Sequence, residues 1–420
     1  MTFLTGHSGP VPPMSGTPQR RAPLDPKHNE FAGRPQGMPR APREVANVFA
    51  FEVEFVQNPL VPTGIGRRRG FPLVQGGAMK RKDVPGIEAG QSWEIDLFRP
   101  EDGEGVAGLF LTVYGEGYPI GTYLDPDRLR EENASGRTIS SVARTPRGDV
   151  VAHNALFRSA PFEGIYETGA GLVHPLYRGG KGLFTGVIEH GLTKAAPAFG
   201  LSGVYGESVC NHVFSQKACR SLGMTTHALE VDLMPAEAYV KEMAAAGRVA
   251  SLIEFISVKP RPQEVFIPAP YRDAFRFLYE GLGEERSLRE AGAPLPSGRS
   301  SEVRGRYFDF AGVARIAVRS AGEDLPARME AEESEMAAKG ARILQAWLNL
   351  GEPWVGEAAG LLRSRGYFLG GLLPRWFDTD GMLMQKMDHR PHWEEIQLEF
   401  DRAKRITAVV RTDWEASSAA

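Results

Sequence analysis

The feature that most constrains the fold of this chain is a glycine-rich loop between a strand-like and a helix-like segment. Residues 166–174 have the composition of a buried strand, and residues 184–195 carry apolar side chains at the spacing of one helix face. A loop in this position turns backbone N–H groups and the positive end of a helix dipole toward one point. The sequence therefore predicts an anion site, suited to a pyrophosphate, at Arg178, Gly179, Gly180, Lys181 and Gly182.

The residue types of the loop support this prediction. Arg178 and Lys181 add positive charge, and glycine lets the backbone approach a phosphate closely. Two common phosphate motifs are excluded. The pattern GxxxxGK[ST] of P-loops is absent. No first-strand βαβ unit with an acidic residue about 20 positions later accompanies the loop, as a GxGxxG dinucleotide site requires.

The flanking segments alternate between two periodicities. Apolar residues at helical spacing predict helices, and short alternating apolar runs predict strands. The predicted fold class is α/β, with a mixed central sheet flanked by helices. The predicted strands cover residues 93–100, 137–144, 150–158, 166–174, 203–207 and 226–233, and the predicted helices cover residues 101–114, 184–195 and 212–222.

Length and composition limit the classes of function. A chain of 420 residues has room for two or three domains. Its net charge of −3 gives no basic field for nucleic acid, so no such partner is expected. Cys210 and Cys219 form neither a disulfide framework nor a zinc motif, so we expect no metal and a reduced, cytoplasmic setting. No apolar run suits a membrane span or a signal peptide, so no membrane partner is expected.

The chain divides into five predicted regions. Residues 1–45 hold nine prolines and five glycines, which predicts a flexible arm because such a segment buries too little apolar surface to fold. Residues 46–91 combine a strand at 46–58 with a basic loop, which we interpret as a solvated extension. The remaining regions are a module at 92–258, a second module at 259–390, and a C-terminal helix and tail at 391–420.

Six ordered motifs between residues 92 and 235 resemble those of the GNAT superfamily of N-acetyltransferases. That family has a loop signature, [QR]-x-x-G-x-[GA], between a strand and a helix. The glycine-rich loop that begins at Arg178 resembles it, and its entry at Val173, Pro175, Tyr177, Arg178 and Gly179 resembles the entry of that family. The set further resembles a bacterial GNAT subgroup. In this chain the six motifs lie at residues 114–119, 136–143, 150–156, 167–169, 175–179 and 212–217.

The resemblance implies a GNAT fold, with acetyl-CoA as the acyl donor. It implies an N-acetyltransferase that transfers acetyl to a primary amine, or a related nitrogen nucleophile, of a small molecule by direct attack. We expect a monomer or a homodimer. The coenzyme A site that the resemblance implies comprises Leu172, Val173, His174, Arg178, Gly179, Gly180, Lys181, Gly182 and Leu183.

The chain departs from the family pattern in two places. The loop is one residue longer, so that Gly182 stands at the fifth position instead of the fourth. Cys219 occupies the position at which many family members have a tyrosine that protonates the departing thiolate. We interpret Cys219 either as a small buried hydrophobic residue or as a poor substitute acid.

Acyl transfer to an amine requires a base that removes a proton from the amine. The resemblance implies Glu167, on the strand before the loop, for this role. Glu207 at the end of the next strand and His212 at the start of the following helix are further candidates. Each has a structural alternative: an ion pair for Glu167, a helix N-terminal partner for Glu207, and a capping or packed imidazole for His212.

Three tyrosines fall where GNAT acceptor pockets are lined. The resemblance implies that Tyr114, Tyr118 and Tyr123 bind the substrate. The alternative is that they are half-buried core residues, because a phenol ring is largely apolar.

Residues 354–388 repeat the order of helix, glycine, strand and proline found at residues 212–235. This predicts a degenerate second GNAT-like module. Its loop at 319–324 carries acidic residues, which repel phosphates, so we expect it to bind no coenzyme A. Two other functions remain open: a tandem scaffold that senses acyl-CoA or binds a protein without catalysis, and an acyltransferase whose protein or aminoacyl substrate contacts the arm at 1–45.

Overall fold

The computed structural model describes residues 78–118, 120–179, 182–236 and 247–418. Within these ranges, twelve strands form one mixed sheet and two more form a small parallel pair. Helices pack on the large sheet, so the predicted α/β class with a mixed central sheet is confirmed. The predicted arm at 1–45 and the predicted strand at 46–58 lie outside the described residues.

The first half of the described chain supplies strands β1 to β7. Short apolar runs form the strands, and segments with helical spacing form the helices between them. In chain order the elements are β1 (Glu94–Leu97), α1 (Gly103–Val113), α2 (Pro126–Ser135), β2 (Thr138–Arg144), β3 (Val150–Phe157), β4 (Ile165–Val173), α3 (Leu183–His190), α4 (Ala196–Ala198), β5 (Gly203–Val209), α5 (Phe214–Ser221), β6 (Thr225–Pro235) and β7 (Arg248–Ser257).

The second half begins with the small parallel pair and ends with a long helix. Its elements are β8 (Gln263–Ile267), α6 (Arg272–Leu278), β9 (Arg286–Glu290), β10 (Glu302–Phe308), β11 (Val313–Ser320), α7 (Leu325–Ala338), β12 (Ile343–Asn349), α8 (Val355–Ser364), β13 (Phe368–Phe377), β14 (Thr379–Met387) and α9 (Asp401–Ser418).

The large sheet contains the same strand pattern twice. Its order is β1-β2-β3-β4-β5-β7-β6-β13-β14-β12-β11-β10. The series β3, β4, β5, β7, β6 and the series β10, β11, β12, β14, β13 have the same connections. In each series the second and third strands are parallel and the other neighbours are antiparallel. The two series follow one another in opposite order across the sheet, so that their last strands, β6 and β13, are neighbours at its centre.

The two halves of the sheet meet at β6 and β13, where Ala228 pairs with Gly371. Beside this pair, the side chain of Gln385 makes hydrogen bonds to the backbone of β6 in place of a strand partner. The amide of Gln385 accepts a hydrogen bond from Val231 N at 2.9 Å and donates one to Leu229 O at 2.9 Å. This amide satisfies buried backbone groups of β6 that the neighbouring strand does not reach.

Helices cover opposite faces of the first half. On β3, Ala155 and Phe157 pack in the same apolar cluster as α1, whereas Leu156 packs in a cluster with α3. This alternation follows from the two-residue period of a strand. Because Glu167 pairs with Phe157, it lies on the face that α1 covers.

Local sequence signals explain several helix ends. Asp125 caps α2 by accepting hydrogen bonds from Asp127 N and Arg128 N, and Gly136 ends it at φ +71°. The C-terminal helix, predicted within residues 391–420, begins only at Asp401, because residues 397–399 instead bond to Cys210 and Gln216. Among the described residues, no helix is both long and apolar enough to cross a membrane.

Candidate active site

Strands β4 and β5 are parallel neighbours that separate along their length. They pair at Ile165–Gly203, Tyr166–Val204 and Glu167–Tyr205, whereas β4 continues to Val173 and β5 to Val209. The C-terminal parts of the two strands therefore have no ladder between them. The resulting opening has backbone N–H and C=O groups along both sides.

A bulge in β4 lies beside this opening. The register between β3 and β4 shifts between His153 and Ala155, and Ala170 adopts φ +49°. The Nδ1 atom of His153 lies 2.8 Å from Ala170 O, and its Nε2 atom lies 3.0 Å from Ser140 Oγ. Burial lowers the pKa of His153 to about 4, so its imidazole is neutral and supports the bulge.

The glycine-rich loop begins where β4 ends. His174 Nδ1 accepts a hydrogen bond from Leu176 N at 3.3 Å, and Arg178 Nε donates to Val173 O at 3.1 Å. Gly179 and Gly182 adopt φ +96° and +64°, and Gly182 precedes the first turn of α3. The loop thus leads into the N-terminus of α3 in the predicted way.

The predicted coenzyme A residues are distributed around this turn. Leu172, Val173 and Leu183 bury their side chains, so only their backbone groups are available to a ligand. Gly180 and Lys181 lie outside the described residues. The phosphate-binding role of the loop stays a prediction.

Glu167 is a buried carboxyl at the last position where β4 pairs with β5. It accepts hydrogen bonds from Ser159 Oγ at 2.7 Å and Tyr205 OH at 3.1 Å. Burial, and next the negative charge of Glu207, raise the pKa of Glu167 well above its usual value. A base with a raised pKa holds an abstracted proton more firmly, as proton removal from an ammonium group requires.

Glu207 and Glu230 share one arginine from the second half of the chain. Arg315 Nη2 donates to Glu207 Oε1 at 2.8 Å and to Glu230 Oε1 at 2.9 Å, and Arg315 Nε donates to Gln345 at 2.9 Å. Burial and then repulsion by Glu207 raise the pKa of Glu230 to about 8. The predicted alternative for Glu207, a helix partner, is replaced by this buried ion pair.

The other oxygen of Glu207 is buried without a hydrogen-bond partner among the described residues. Buried polar atoms are usually paired, so such an atom indicates a missing ligand or water. Arg315 pairs with Glu207 and Glu230 and also lies near Glu167, and the pKa of about 8 leaves Glu230 largely protonated at neutral pH. A positively charged group that enters this cluster would favour the ionised form of these carboxyls, so a proton could be released there as it binds.

Asn211 and His212 follow the end of β5. Their side chains are 2% and 5% exposed, and their polar atoms have no hydrogen-bond partner among the described residues. Burial lowers the pKa of His212, which keeps its imidazole neutral at neutral pH. His212 was a predicted candidate. Asn211 was missed, although its position next to His212 was a signal that could have identified it.

The three predicted substrate tyrosines form an aromatic cluster with Phe110. The ring centroids of Phe110 and Tyr123 are 4.5 Å apart, and those of Tyr114 and Tyr118 are 4.8 Å apart. Tyr123 is fully buried, Tyr118 is 6% exposed and Tyr114 is half-buried. Of the three, Tyr114 has the ring most open to a substrate.

Cys219 lies in α5, on the side of that helix that is buried against β5. It is 1% exposed, and its Sγ atom accepts a hydrogen bond from Ser208 Oγ at 3.4 Å. Burial raises the pKa of the thiol. The geometry matches the interpretation of Cys219 as a small buried side chain and does not suit a proton donor that must recharge from solvent.

The corresponding turn in the second half, between β11 and α7, is filled by the protein itself. Ser301 Oγ accepts a hydrogen bond from Gly322 N at 2.9 Å, and Pro296 O accepts one from Glu323 N at 3.2 Å. Asp324 Oδ1 accepts from Ser301 N and Ser301 Oγ. The N–H groups that would bind a phosphate here already have partners, and a carboxylate stands beside them.

No protein-family model matches the chain, and no curated protein matches it. Several solved structures do. An N-acetyltransferase from Staphylococcus aureus Mu50 has 11% identity and a TM-score of 0.33, over 40% of this chain and 99% of that one. Ribosomal-protein-S5-alanine acetyltransferase from Vibrio fischeri has 12% identity and a TM-score of 0.32, over 41% and 95%. Spermidine/spermine N-acetyltransferase from Vibrio cholerae has 14% identity and a TM-score of 0.31, over 40% and 92%.

Proposed function

We propose that the chain is an acyl-CoA-dependent N-acyltransferase that transfers acetyl from acetyl-CoA to a primary amine of a small molecule. The observation that carries this proposal is the separation of β4 and β5 directly beside the glycine-rich turn. An extended ligand with amide groups pairs with exposed strand edges, and the pantetheine arm of coenzyme A is such a ligand. Its pyrophosphate then lies at the N-terminus of α3.

The acceptor amine is proposed to enter beside Glu167. Glu167 takes a proton from the ammonium form, and the neutral nitrogen attacks the thioester carbon. The nitrogen loses a second proton as the carbon–sulfur bond breaks and the amide forms, and the leaving thiolate takes up a proton in its place, so that no net proton is gained or lost in this step. The buried carboxyls accommodate a cationic acceptor at this point, because a nearby positive charge favours their ionised form. His212 is proposed as the second proton-transfer group.

One other function is supported by particular contacts. Arg315 occupies one oxygen of Glu207, and Cys219 offers no proton to a leaving thiolate. Both features suit a protein that binds acyl-CoA and senses it, or presents a surface to a partner, without turnover. This alternative shares the coenzyme A site and differs only in chemistry.

Transfer of acetyl to a panel of amines, detected by mass spectrometry, tests the proposal. We expect Glu167→Gln to lower kcat by about 10²–10⁴-fold, the usual effect of removing a general base, with little change in coenzyme A affinity. Glu163→Gln is the matched control, because Glu163 lies four residues away in an exposed ion pair with Arg158. Its kcat should be unchanged.

Two outcomes separate the candidate functions. Coenzyme A binding without acetylation of any amine, and without an effect of Glu167→Gln, supports the sensing function. Failure of the chain to bind coenzyme A in calorimetry contradicts both.

We also propose that the second half is a GNAT-like module that binds no coenzyme A. The repeated strand pattern and the filled turn at Gly322 support this. Calorimetry should give one coenzyme A per chain, and a stoichiometry of two contradicts the proposal.

A further inference from the structure

One aspartate and two histidines outside the proposed acyl-transfer site bring their ligand atoms together. Asp232 lies in β6 of the first half, and His389 and His392 follow β14 of the second. Oδ2 of Asp232 is 2.7 Å from Nδ1 of His392 and 3.0 Å from Nε2 of His389. Asp232 is fully buried, and both imidazoles are half-buried. The cluster was not expected from the sequence, because 157 positions separate Asp232 from His389.

His389 faces a carboxylate at each of its ring nitrogens. Its Nδ1 atom is 2.6 Å from Oδ1 of Asp388, on the side opposite Asp232. A neutral imidazole has one N–H, so the other nitrogen would turn its lone pair toward an anionic oxygen unless the ring takes a second proton or a metal ion lies between them. A cation between Nε2 and Asp232 removes this conflict, because Nδ1–H then donates to Asp388 while Nε2 binds the cation. An outer carboxylate orients metal-binding histidines in this way.

The backbone around the cluster holds these groups together. Asp232 adopts φ +53°, which is uncommon for a residue with a side chain. The backbone N–H of His392 donates to the Asp232 carboxylate at 3.2 Å. A Cβ atom at Gly247 would lie 2.6 Å from Nε2 of His392, so glycine there leaves room for the imidazole.

We propose that Asp232, His389 and His392 bind one divalent transition-metal ion, for which Zn²⁺ is the probe. Imidazole and carboxylate are ligands that Zn²⁺ prefers, and two nitrogens among three ligands disfavour Mg²⁺ and Ca²⁺. Asp232 and Asp388 together carry two negative charges, which balance a divalent ion. The ion links β6 to the segment after β14, and so it ties the two halves of the chain together.

The test is a calorimetric titration of the full chain with Zn²⁺ after treatment with a chelator and desalting. We expect one ion per chain with micromolar or tighter affinity. His389→Ala and His392→Ala should weaken binding by about 100-fold or more, and Asp388→Asn, which keeps all three ligands, by about 10–100-fold. His190→Ala is the control, because His190 is also half-buried and bonded, at 2.8 Å to Ser141, but is not part of the cluster.

A second measurement does not depend on the folding of variants. Co²⁺ added to the wild-type chain should give visible d–d absorption bands that Zn²⁺ abolishes. Zn²⁺ should also raise the melting temperature of the wild type and of His190→Ala, and not that of His392→Ala. Absence of Zn²⁺ binding by the wild type, or equal binding by all variants, overturns the proposal and leaves a histidine–aspartate ion pair.

Discussion

At the scale of single residues, the buried carboxylates depend on Arg315. Its guanidinium donates to Glu207 and Glu230, and its side chain is 7% exposed. Loss of one partner from a buried ion pair leaves uncompensated charge, which costs about 3–5 kcal/mol. We therefore expect Arg315→Met to lower the free energy of unfolding by about that amount, measured by urea denaturation.

The matched control is Arg304→Met on the neighbouring strand. Arg304 pairs with Glu302 at the surface, and both side chains are mostly solvated, so this variant should change stability little. Adding Glu207→Gln and Glu230→Gln to Arg315→Met should recover much of the loss, because the buried charges are then removed together. Equal losses for Arg304→Met and Arg315→Met would contradict the assignment.

Glu254 predicts a pH dependence of stability. Burial raises its pKa from 4.5 to about 7, although the hydrogen bond that it accepts from Thr226 Oγ1 at 2.9 Å acts to lower the pKa. The folded state holds the proton of Glu254 more firmly than the unfolded state does. This proton therefore stabilises the fold fully below pH 4.5, and the stabilisation is lost as the pH rises through about 7. Glu254→Gln should flatten the unfolding free energy across this window, where one proton contributes on the order of 1 kcal/mol per pH unit.

Urea denaturation at several pH values checks this prediction. Glu264→Gln on β8 is the control, because Glu264 forms an exposed ion pair with Arg289 and should leave the profile unchanged. A wild-type profile as steep as that of Glu254→Gln would mean that Glu254 does not titrate in this window.

The sequence predicted part of the candidate site and not the rest. Glu167, Glu207 and His212 could be proposed because they stand at fixed places relative to the loop and its neighbouring strands. Arg315 could not, since it reaches Glu207 from 108 positions away. Contacts of this range depend on how the two halves pack, and local periodicity carries no information about that packing.

At the scale of elements, the turn before α3 depends on the backbone of Gly182. This residue has φ +64°, and a Cβ atom there would meet no other atom within 4 Å. Gly182→Ala should therefore cost about 1 kcal/mol through backbone strain alone. Because it shifts the N–H groups at the start of α3, it should also weaken coenzyme A binding about tenfold, which corresponds to about 1.4 kcal/mol.

Gly136→Ala separates these two effects. Gly136 ends α2 at φ +71° and is equally open, so the same substitution should cost similar stability. It lies outside the loop and should leave coenzyme A affinity unchanged in calorimetry. Equal affinities for the two variants would exclude the turn from the phosphate site.

Elements with clear periodicity were predicted well. The helix predicted at residues 101–114 forms at Gly103–Val113, since its apolar face repeats at helical spacing. Strands β7 and β14 were not predicted. Both carry polar residues that are buried among their apolar ones, such as Glu254 in β7 and Gln385 in β14, and these interrupt the apolar run that indicates a buried strand.

At the scale of the whole molecule, the two repeated halves are joined into one sheet by a short ladder between β6 and β13. Gly371 of β13 pairs with Ala228 of β6 and adopts φ +137°. A Cβ atom at this position would lie 2.6 Å from Ala228 Cα and 2.6 Å from His227 O, and backbone atoms cannot turn aside as side chains do. Gly371→Ala must therefore push the two halves of the sheet apart, at a cost of about 3 kcal/mol by comparison with overpacked cores.

Displacement of the halves has a consequence beyond local stability, because Arg315 crosses from one half to the carboxylates of the other. Gly371→Ala should increase amide hydrogen exchange at β6 and β13, and should also loosen the Glu207–Arg315 contact. Gly366→Ala is the matched control: Gly366 has φ +87° and open space around it, so it has a similar backbone strain without the clash. If both variants raised exchange to the same extent, strain at a single residue would account for the effect, and β6–β13 would not be the joint on which the buried site depends.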